Sequence, residues 1–237
     1  MTERKIALFD VDNTIYNGYI IFPLAELQVK EGVISTDCLE QLQSDTQAYR
    51  LGKITYEIFA RDAMRHWAIG LTGKSYLEVL THTEAFLKGE GDNFFPYFNR
   101  VVHMLNEKKY DIYLVTAEPK FVAEAIKNIF PITDSAASEF EAVDGVFRGE
   151  AHVLDTGQEK NMAIQRLLGS RDTKDSIAFG DSVSDIDMLE KTTFPICIKR
   201  PNQASNQALR RYARSKGWEI VNPGSVDKKV RSLLDLT

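Results

Sequence analysis

The sequence predicts a doubly wound α/β fold, a parallel sheet with helices on both faces, interrupted near its start by an all-helical insertion. Three observations lead there. From residue 94 onward short apolar runs alternate with segments of helical periodicity, the pattern of a sheet built from strand–helix–strand units. One apolar run, residues 6–9, stands apart at the start, and the next strand pattern comes only after residue 110. Between residues 16 and 93 only helical periodicity is found.

Taken in order, residues 6–9 read as a buried strand ending at Asp10. Ile20, Leu24 and Leu27 share one helical face, and Leu39 with Leu42 marks a second helix. Ile58, Phe59, His66 and Trp67 mark a third, with Thr55 at its N-cap, and Tyr76, Val79, Leu80 and Leu87 a fourth. The run Gly89-Glu90-Gly91-Asp92-Asn93 reads as a linker with hinge glycines. Beyond it, helices are expected over 97–108, 120–129, 160–168, 185–191, 202–216 and 226–234. Strands are expected over 111–115, 135–138, 176–179, 194–198 and 218–221, with Asp144-Gly145 turning a small hairpin. The domain division that follows is an α/β core of residues 1–15 and 95–237 with a helical cap of residues 16–94.

A chain of 237 residues suits one or two domains with a sizeable core. Hydrophobic residues at 43% and charged ones at 27% exclude a disordered, collagen-like or disulfide-scaffold chain. The net charge of −5 makes a poor general binder of nucleic acid or anionic membrane. Arg210, Arg211, Arg214 and Lys216 then read as a solvated helix face. Cys38 and Cys197 stand far apart and read as reduced, buried thiols. The longest apolar run, residues 19–25, contains Pro23 and is far short of a membrane span. Residues 1–5 lack a signal-peptide core, so a cytoplasmic location is expected.

In an open parallel sheet, ligands bind at the carboxyl ends of the strands. The first strand is followed by Asp10-Val11-Asp12-Asn13-Thr14. The second is followed by Thr116-Ala117-Glu118, and the strand at 176–179 by Gly180-Asp181-Ser182-Val183-Ser184-Asp185. Lys160 opens a helix just before that last strand. Carboxylates crowded on one edge raise each other's pKa unless a cation sits among them, and Mg²⁺ suits hard oxygen donors. An Asp in such a place can accept a phosphoryl group, a second Asp can protonate the leaving oxygen, and Lys and Thr can bind phosphoryl oxygens.

These residues carry a resemblance. Asp10-x-Asp12-x-Thr14, Thr116 after a strand, Lys160, and Gly180-Asp181-x-x-x-Asp185 resemble, in order, the four motifs of the haloacid dehalogenase superfamily. The helical insertion resembles its type 1 cap, in the phosphoserine-phosphatase-like branch, subfamily IB. The resemblance implies a Rossmann-like core. It implies Asp10 as nucleophile and Mg²⁺ ligand, and Asp12 as general acid/base with its carbonyl on the metal. It implies Thr14 as loop support, Thr116 with Ala117 on the phosphoryl group, and Lys160 neutralising nucleophile and phosphate. Asp181 matches the direct metal ligand and Asp185 a water-mediated one. The dehalogenases lack an Asp at the place of Asp12, so its presence implies phosphoryl transfer. Phosphoserine phosphatases carry a Glu where this chain has Tyr19 and an Arg where it has Ala63, with Arg61 and Arg65 nearby.

The implied activity is Mg²⁺-dependent hydrolysis of a small phosphorylated metabolite through an aspartyl-phosphate. Tyr19, Arg61 and Arg65 are the expected substrate contacts from the cap, with Phe22, His66 and Trp67 as further candidates. Two rivals are a phosphotransferase to an acceptor alcohol and a non-catalytic module that binds a phospho-ligand. Neither a nucleic-acid nor a membrane partner is expected, and the oligomeric state is left open.

Overall fold

Why the first strand is central follows from its burial. A computed structural model of the chain describes residues 4–154, 156–200 and 203–235. The N-terminal residues 1–3 and Asn202, where the sequence places a helix start, lie outside the described residues. In β1 (Lys5–Phe9) the last four side chains are all buried, as in a strand covered on both faces. Ala7 and Phe9 point into one hydrophobic core, Ile6 and Leu8 into the other.

The remaining strands are β2 (Tyr110–Pro119), β3 (Asp134–Val143), β4 (Val146–His152), β5 (Ile177–Gly180), β6 (Phe194–Ile198) and β7 (Glu219–Val221). They form one sheet in the order β4-β3-β2-β1-β5-β6-β7. Every neighbouring pair is parallel except β3 and β4. The doubly wound α/β expectation is thus met. β1 pairs with β2 on one side, Leu8 opposite Tyr113, and with β5 on the other, Phe9 opposite Phe179. Strand order reverses at this point, which opens a crevice at the carboxyl ends of β1, β2 and β5. Behind it Phe9 stacks on Phe179, with ring centroids 4.2 Å apart.

The insertion contains α1 (Ile21–Lys30), α2 (Thr36–Arg50), α3 (Tyr56–Gly70) and α4 (Tyr76–Gly89). Ser35, Thr55 and Ser75 each accept a hydrogen bond from the backbone N–H three residues on, which starts α2, α3 and α4. Then come α5 (Pro96–Glu107), α6 (Lys120–Ile129), α7 (Gly157–Leu168), α8 (Ile186–Glu190), α9 (Ala204–Lys216) and α10 (Val226–Leu234). α5, α6 and α10 cover the Phe9 face of the sheet, and α7, α8 and α9 the Leu8 face. No helix among the described residues is long and apolar enough to cross a membrane.

Three local readings are corrected. β2 continues four residues past Val115, because Thr116, Ala117 and Glu118 stay extended and, apart from half-buried Ala117, buried, a polar stretch that an apolar pattern cannot reveal. β3 and β4 are longer than expected and turn at Asp144 and Gly145, whose φ angles of 53° and 74° suit a two-residue hairpin. α7 starts at Gly157, capped by Thr156 and Glu159 in a reciprocal capping box, so Lys160 sits inside the first turn rather than opening the helix.

The second half of the insertion is fastened to the core. Trp67 is fully buried, packs edge-on against Phe121 and Phe140 at 5.3 and 5.9 Å, and donates its indole N–H to Gln28 at 2.7 Å. It is therefore a packing residue and not a substrate contact. The hairpin adds backbone bonds, Gly73 N–H to Phe147 and Tyr76 N–H to Gly145. Gly149 has φ +90°, and a Cβ there would lie 2.6 Å from the Thr72 hydroxyl, so the close approach needs glycine. Gly89 ends α4 and Gly91 opens a single 3₁₀ turn, neither at positive φ. The two crossings between insertion and core meet at the Tyr16–Phe94 bridge.

Candidate active site

The first loop coils around one carbonyl. Val11 O accepts from the N–H groups of Thr14, Ile15 and Tyr16, and Asn13 takes a left-handed conformation, φ 57°, to allow it. Asp10 is joined to β5 through its N–H on Phe179 O at 3.0 Å. Asp12 Oδ1 accepts from Ile20 N–H at 3.2 Å, which aims its carboxyl across the same crevice. Asn13 Oδ1 accepts from Gln203 at 3.2 Å, and Arg200 donates to Asn17 at 2.6 Å while lying 4.9 Å from the Phe95 ring centre. The loop behind β6 thus holds both crossings of the insertion.

Lys160 is 3% exposed and its Nζ lies 3.0 Å from Asp10 Oδ1 and 2.7 Å from Asp185 Oδ1. The second oxygen of Asp185 accepts from the N–H groups of Asp181 and Ser182 at 3.0 and 2.9 Å. Asn206 donates to the Asp181 carbonyl at 2.6 Å. Gly180 makes this possible, since a Cβ there would fall 2.5 Å from Asp185 Cβ. Gly180→Ala is expected to push Asp185 off both amides and cost about 1–3 kcal/mol of stability together with most activity. Thermal unfolding and turnover of the variant check this, and unchanged values for both would refute it.

Asp10, Asp181 and Asp185 each offer an oxygen within 4.8 Å of the others. Burial raises Asp10 to about 6, the Asp185 charge adds to that, and Lys160 opposes it. Burial and the charges of Asp10 and Asp185 hold Asp181 well above the usual carboxylate range. Asp12 is likewise held well above it, by burial and by Glu118 beside it. Glu118 is fully buried beside Asp12, and burial pushes it up to about 7, opposed by hydrogen bonding with Asp12 and the Ile21 backbone. Two buried carboxyls side by side are stabilised when one of them holds a proton. One lysine against this many acids leaves excess negative charge, and hard oxygen donors of this kind fit a divalent cation. Asp185 is committed on both oxygens to Lys160 and to backbone amides, which leaves Asp10 and Asp181 as the freer donors.

A cavity of about 480 Å³ opens over this cluster. Asp10, Asp12, Tyr19, Thr116, Ala117, Lys160 and Asp181 all line it, and Asp185 lies directly behind Lys160. Thr116 Oγ1 accepts from Glu118 N–H at 3.0 Å. Arg61 and Arg65 do not line the cavity. Phe59, Ala63 and Trp67 occupy the buried stripe of α3, and the two arginines fall on the other side. His66 is held by Asp45 at 2.8 Å. In place of the arginines, the end of α2 brings Tyr49 and Arg50, and the start of α9 adds Ser205 with Gln203 before it. Glu118 and these four were not singled out from the sequence. Glu118 had a signal, an acid following a buried apolar run.

A doubly wound sheet with buried acids and a buried lysine at its central strand ends has the charged reaction site of an α/β enzyme. Residues 7–190 match the haloacid dehalogenase-like hydrolase family, and the chain belongs to it. It is 25% identical over 219 residues to a phosphoserine phosphatase of Mycobacterium tuberculosis, covering 90% of this chain and 69% of that one. The crystal structure of a protein from Bordetella pertussis Tohama I is similar in fold, with TM-score 0.76, 24% identity, and coverage of 94% of this chain and 100% of that one. A phosphoserine phosphatase solved as a phospho-aspartyl intermediate analogue is similar in fold too, with TM-score 0.58, 19% identity, and coverage of 92% and 93%.

Proposed function

We propose that this hydrolase is a Mg²⁺-dependent phosphatase of small phosphomonoesters that passes the phosphoryl group through Asp10. The observation that carries the reading is Asp10 itself, buried at a central strand end with one oxygen on Lys160 and its carboxyl lining the cavity. Its other oxygen attacks phosphorus as the bond to the leaving oxygen breaks. Asp12, whose burial beside Glu118 favours the protonated form, gives its proton to the leaving alkoxide. Water then attacks phosphorus as its bond to the Asp10 oxygen breaks, releasing phosphate and the Asp10 carboxylate, and Asp12, now a carboxylate, takes the water's proton. Lys160, Thr116 and Ala117 line the cavity, where they would meet the phosphoryl oxygens. Mg²⁺ would be held by Asp10, Asp181 and the Asp12 carbonyl, with Asp185 behind, and supplies neutralisation of the charge on the transferring group.

Residues 16–94 act in this reading as a cap over a core of residues 1–15 and 95–237, with Tyr19, Tyr49 and Arg50 as its contribution to the cavity. The fastening of α3 and α4 to the hairpin and α6 opposes a swing about Gly89 and Gly91. Cys38 and Cys197, both buried free thiols, fit a reducing compartment, the cytoplasm.

The test is phosphate release from an aryl phosphate by metal-stripped protein, before and after Mg²⁺ is added. Negligible release that Mg²⁺ restores is expected. No release from aryl or alkyl phosphates by folded, Mg²⁺-loaded protein would overturn the reading.

A further inference from the structure

The first turn of α1 is held by acids from elsewhere in the chain. Its N-cap residue, Ile20, has no side chain that accepts a hydrogen bond, and Pro23, third in the helix, carries no N–H. Ile20 N–H is taken by Asp12 Oδ1 at 3.2 Å. The next amide, Ile21 N–H, is met by the carboxyl of Glu118, which also meets the Asp12 carboxyl. Two successive amides of the insertion and two carboxyls of the core thus form one closed group. Ile20, Ile21 and Glu118 are all buried in it. A buried helix start needs acceptors of this kind, and anions suit it.

The members of the group are anchored differently. Asp12 stands in a loop, and Ile20 leads into the insertion. Glu118 stands on β2, where Thr116 Oγ1 accepts from its N–H at 3.0 Å and Ser138 Oγ donates to the neighbouring Ala117 carbonyl at 2.6 Å. Ser138 Oγ accepts in turn from Leu154 N–H at 3.0 Å. Asp12 lines the cavity, whereas Glu118 lies behind it and reaches a bound molecule only through Asp12. A carboxyl buried in a central strand costs stability that an apolar residue would not.

We propose that Glu118 is a positioning residue for phosphoryl transfer, bracing the Asp12 carboxyl against the first turn of α1 so that it faces the leaving oxygen. The proposal rests on the phosphatase reading, in which Asp12 gives a proton to the leaving oxygen and later takes one from water. Reach is the property it calls on, and three variants separate reach from charge. Glu118→Gln keeps the length, an acceptor for Ile21 N–H and a donor for Asp12. Glu118→Asp keeps the charge and falls one methylene short. Glu118→Met keeps the length and offers neither polar contact.

Two esters read the effect in Mg²⁺-loaded protein, an alkyl phosphate, whose alkoxide needs a proton as it leaves, and para-nitrophenyl phosphate, whose phenolate does not. Because kcat/KM reports only as far as the first irreversible step, it isolates cleavage of the ester bond. Glu118→Asp and Glu118→Met are expected to lower kcat/KM roughly 10- to 100-fold for the alkyl ester and less than about threefold for the aryl ester. For the aryl ester kcat and KM should fall together, with a burst of about one nitrophenolate per protein, because the step in which Asp12 takes a proton from water becomes slow. Glu118→Gln should hold the alkyl value within about fivefold of wild type. A loss of folded protein lowers both esters alike and gives no burst. Equal losses on both esters without a burst, or an unchanged alkyl-to-aryl ratio in Glu118→Asp and Glu118→Met, overturn the proposal. So does a Glu118→Asp protein that matches wild type while Glu118→Gln behaves like Glu118→Met, since charge and not reach would then carry the effect. A wild-type protein that releases phosphate from neither ester overturns the phosphatase reading instead, a result independent of the variants.

Discussion

Asp10→Asn is expected to lower phosphate release by a factor of about 10⁴ or more, yet to make the metal-free protein more stable at neutral pH. The loss follows from the chemistry, since an amide oxygen does not form the acyl-phosphate. The gain follows from electrostatics. In the folded chain the Asp10 carboxyl titrates near 6 against an ordinary 3.8, because burial and the Asp185 charge outweigh Lys160. Between those two pH values the folded chain binds a proton that the unfolded chain has released. Stability therefore falls as pH rises through that window, and above it the ionised Asp10 remains a cost. Asn carries no such cost. Its advantage should be absent near pH 4 and reach on the order of 1–3 kcal/mol by pH 7.5. Mg²⁺ should reverse the order by stabilising the wild type more than the variant. Thermal unfolding of both metal-free proteins at the two pH values reads the effect. A variant that is less stable than the wild type at pH 7.5, or that keeps full turnover, contradicts this account of the site.

The same balance explains what the sequence made legible. A strand buried on both faces is apolar throughout, so β1 and β5 announced themselves, and the acids at their ends were conspicuous against that background. The positions of Asp10, Asp12 and Asp181 follow from strand ends, because parallel strands deliver their carboxyl ends to one edge, whereas Thr116 lies within β2 and Lys160 on the first turn of α7. The rotation of a helix about its axis is a different kind of fact. Arg61 and Arg65 are the conspicuous cations of α3, but Trp67, Phe59 and Ala63 dock that helix against its neighbours and turn the arginines aside. Arg50 reaches the cavity because α2 ends there, a matter of how α2 packs on α3 and not of any pattern within it. Glu118 stayed without a role because a carboxyl inside a strand is explained only by its neighbour across the crevice, Asp12.

Lys160→Met, close in length but uncharged, is expected to abolish turnover and to lower stability by about 3–5 kcal/mol at pH 7.5, a fall of roughly 6–20 °C in melting temperature for a chain of this size. Lys160 lies within reach of two buried carboxylates, and it joins three parts of the fold. It stands on α7, holds Asp10 at the end of β1, and holds Asp185, whose other oxygen orders the Asp181 and Ser182 amides after β5. Without it the two acids face each other with no compensating charge, and that uncompensated charge accounts for the loss far more than the missing contacts do. The charge can be neutralised in other ways, and this is what makes the account testable. At pH 5 Asp10, already raised to about 6 with the lysine present, takes up a proton in the variant, so the gap to wild type should narrow. Mg²⁺ at pH 7.5 should narrow it too, by supplying the positive charge between the same oxygens. A gap of equal size at pH 5 and pH 7.5, indifferent to Mg²⁺, would mean that Lys160 acts by packing alone. The shared role of Lys160 in catalysis and in folding would then have to be abandoned.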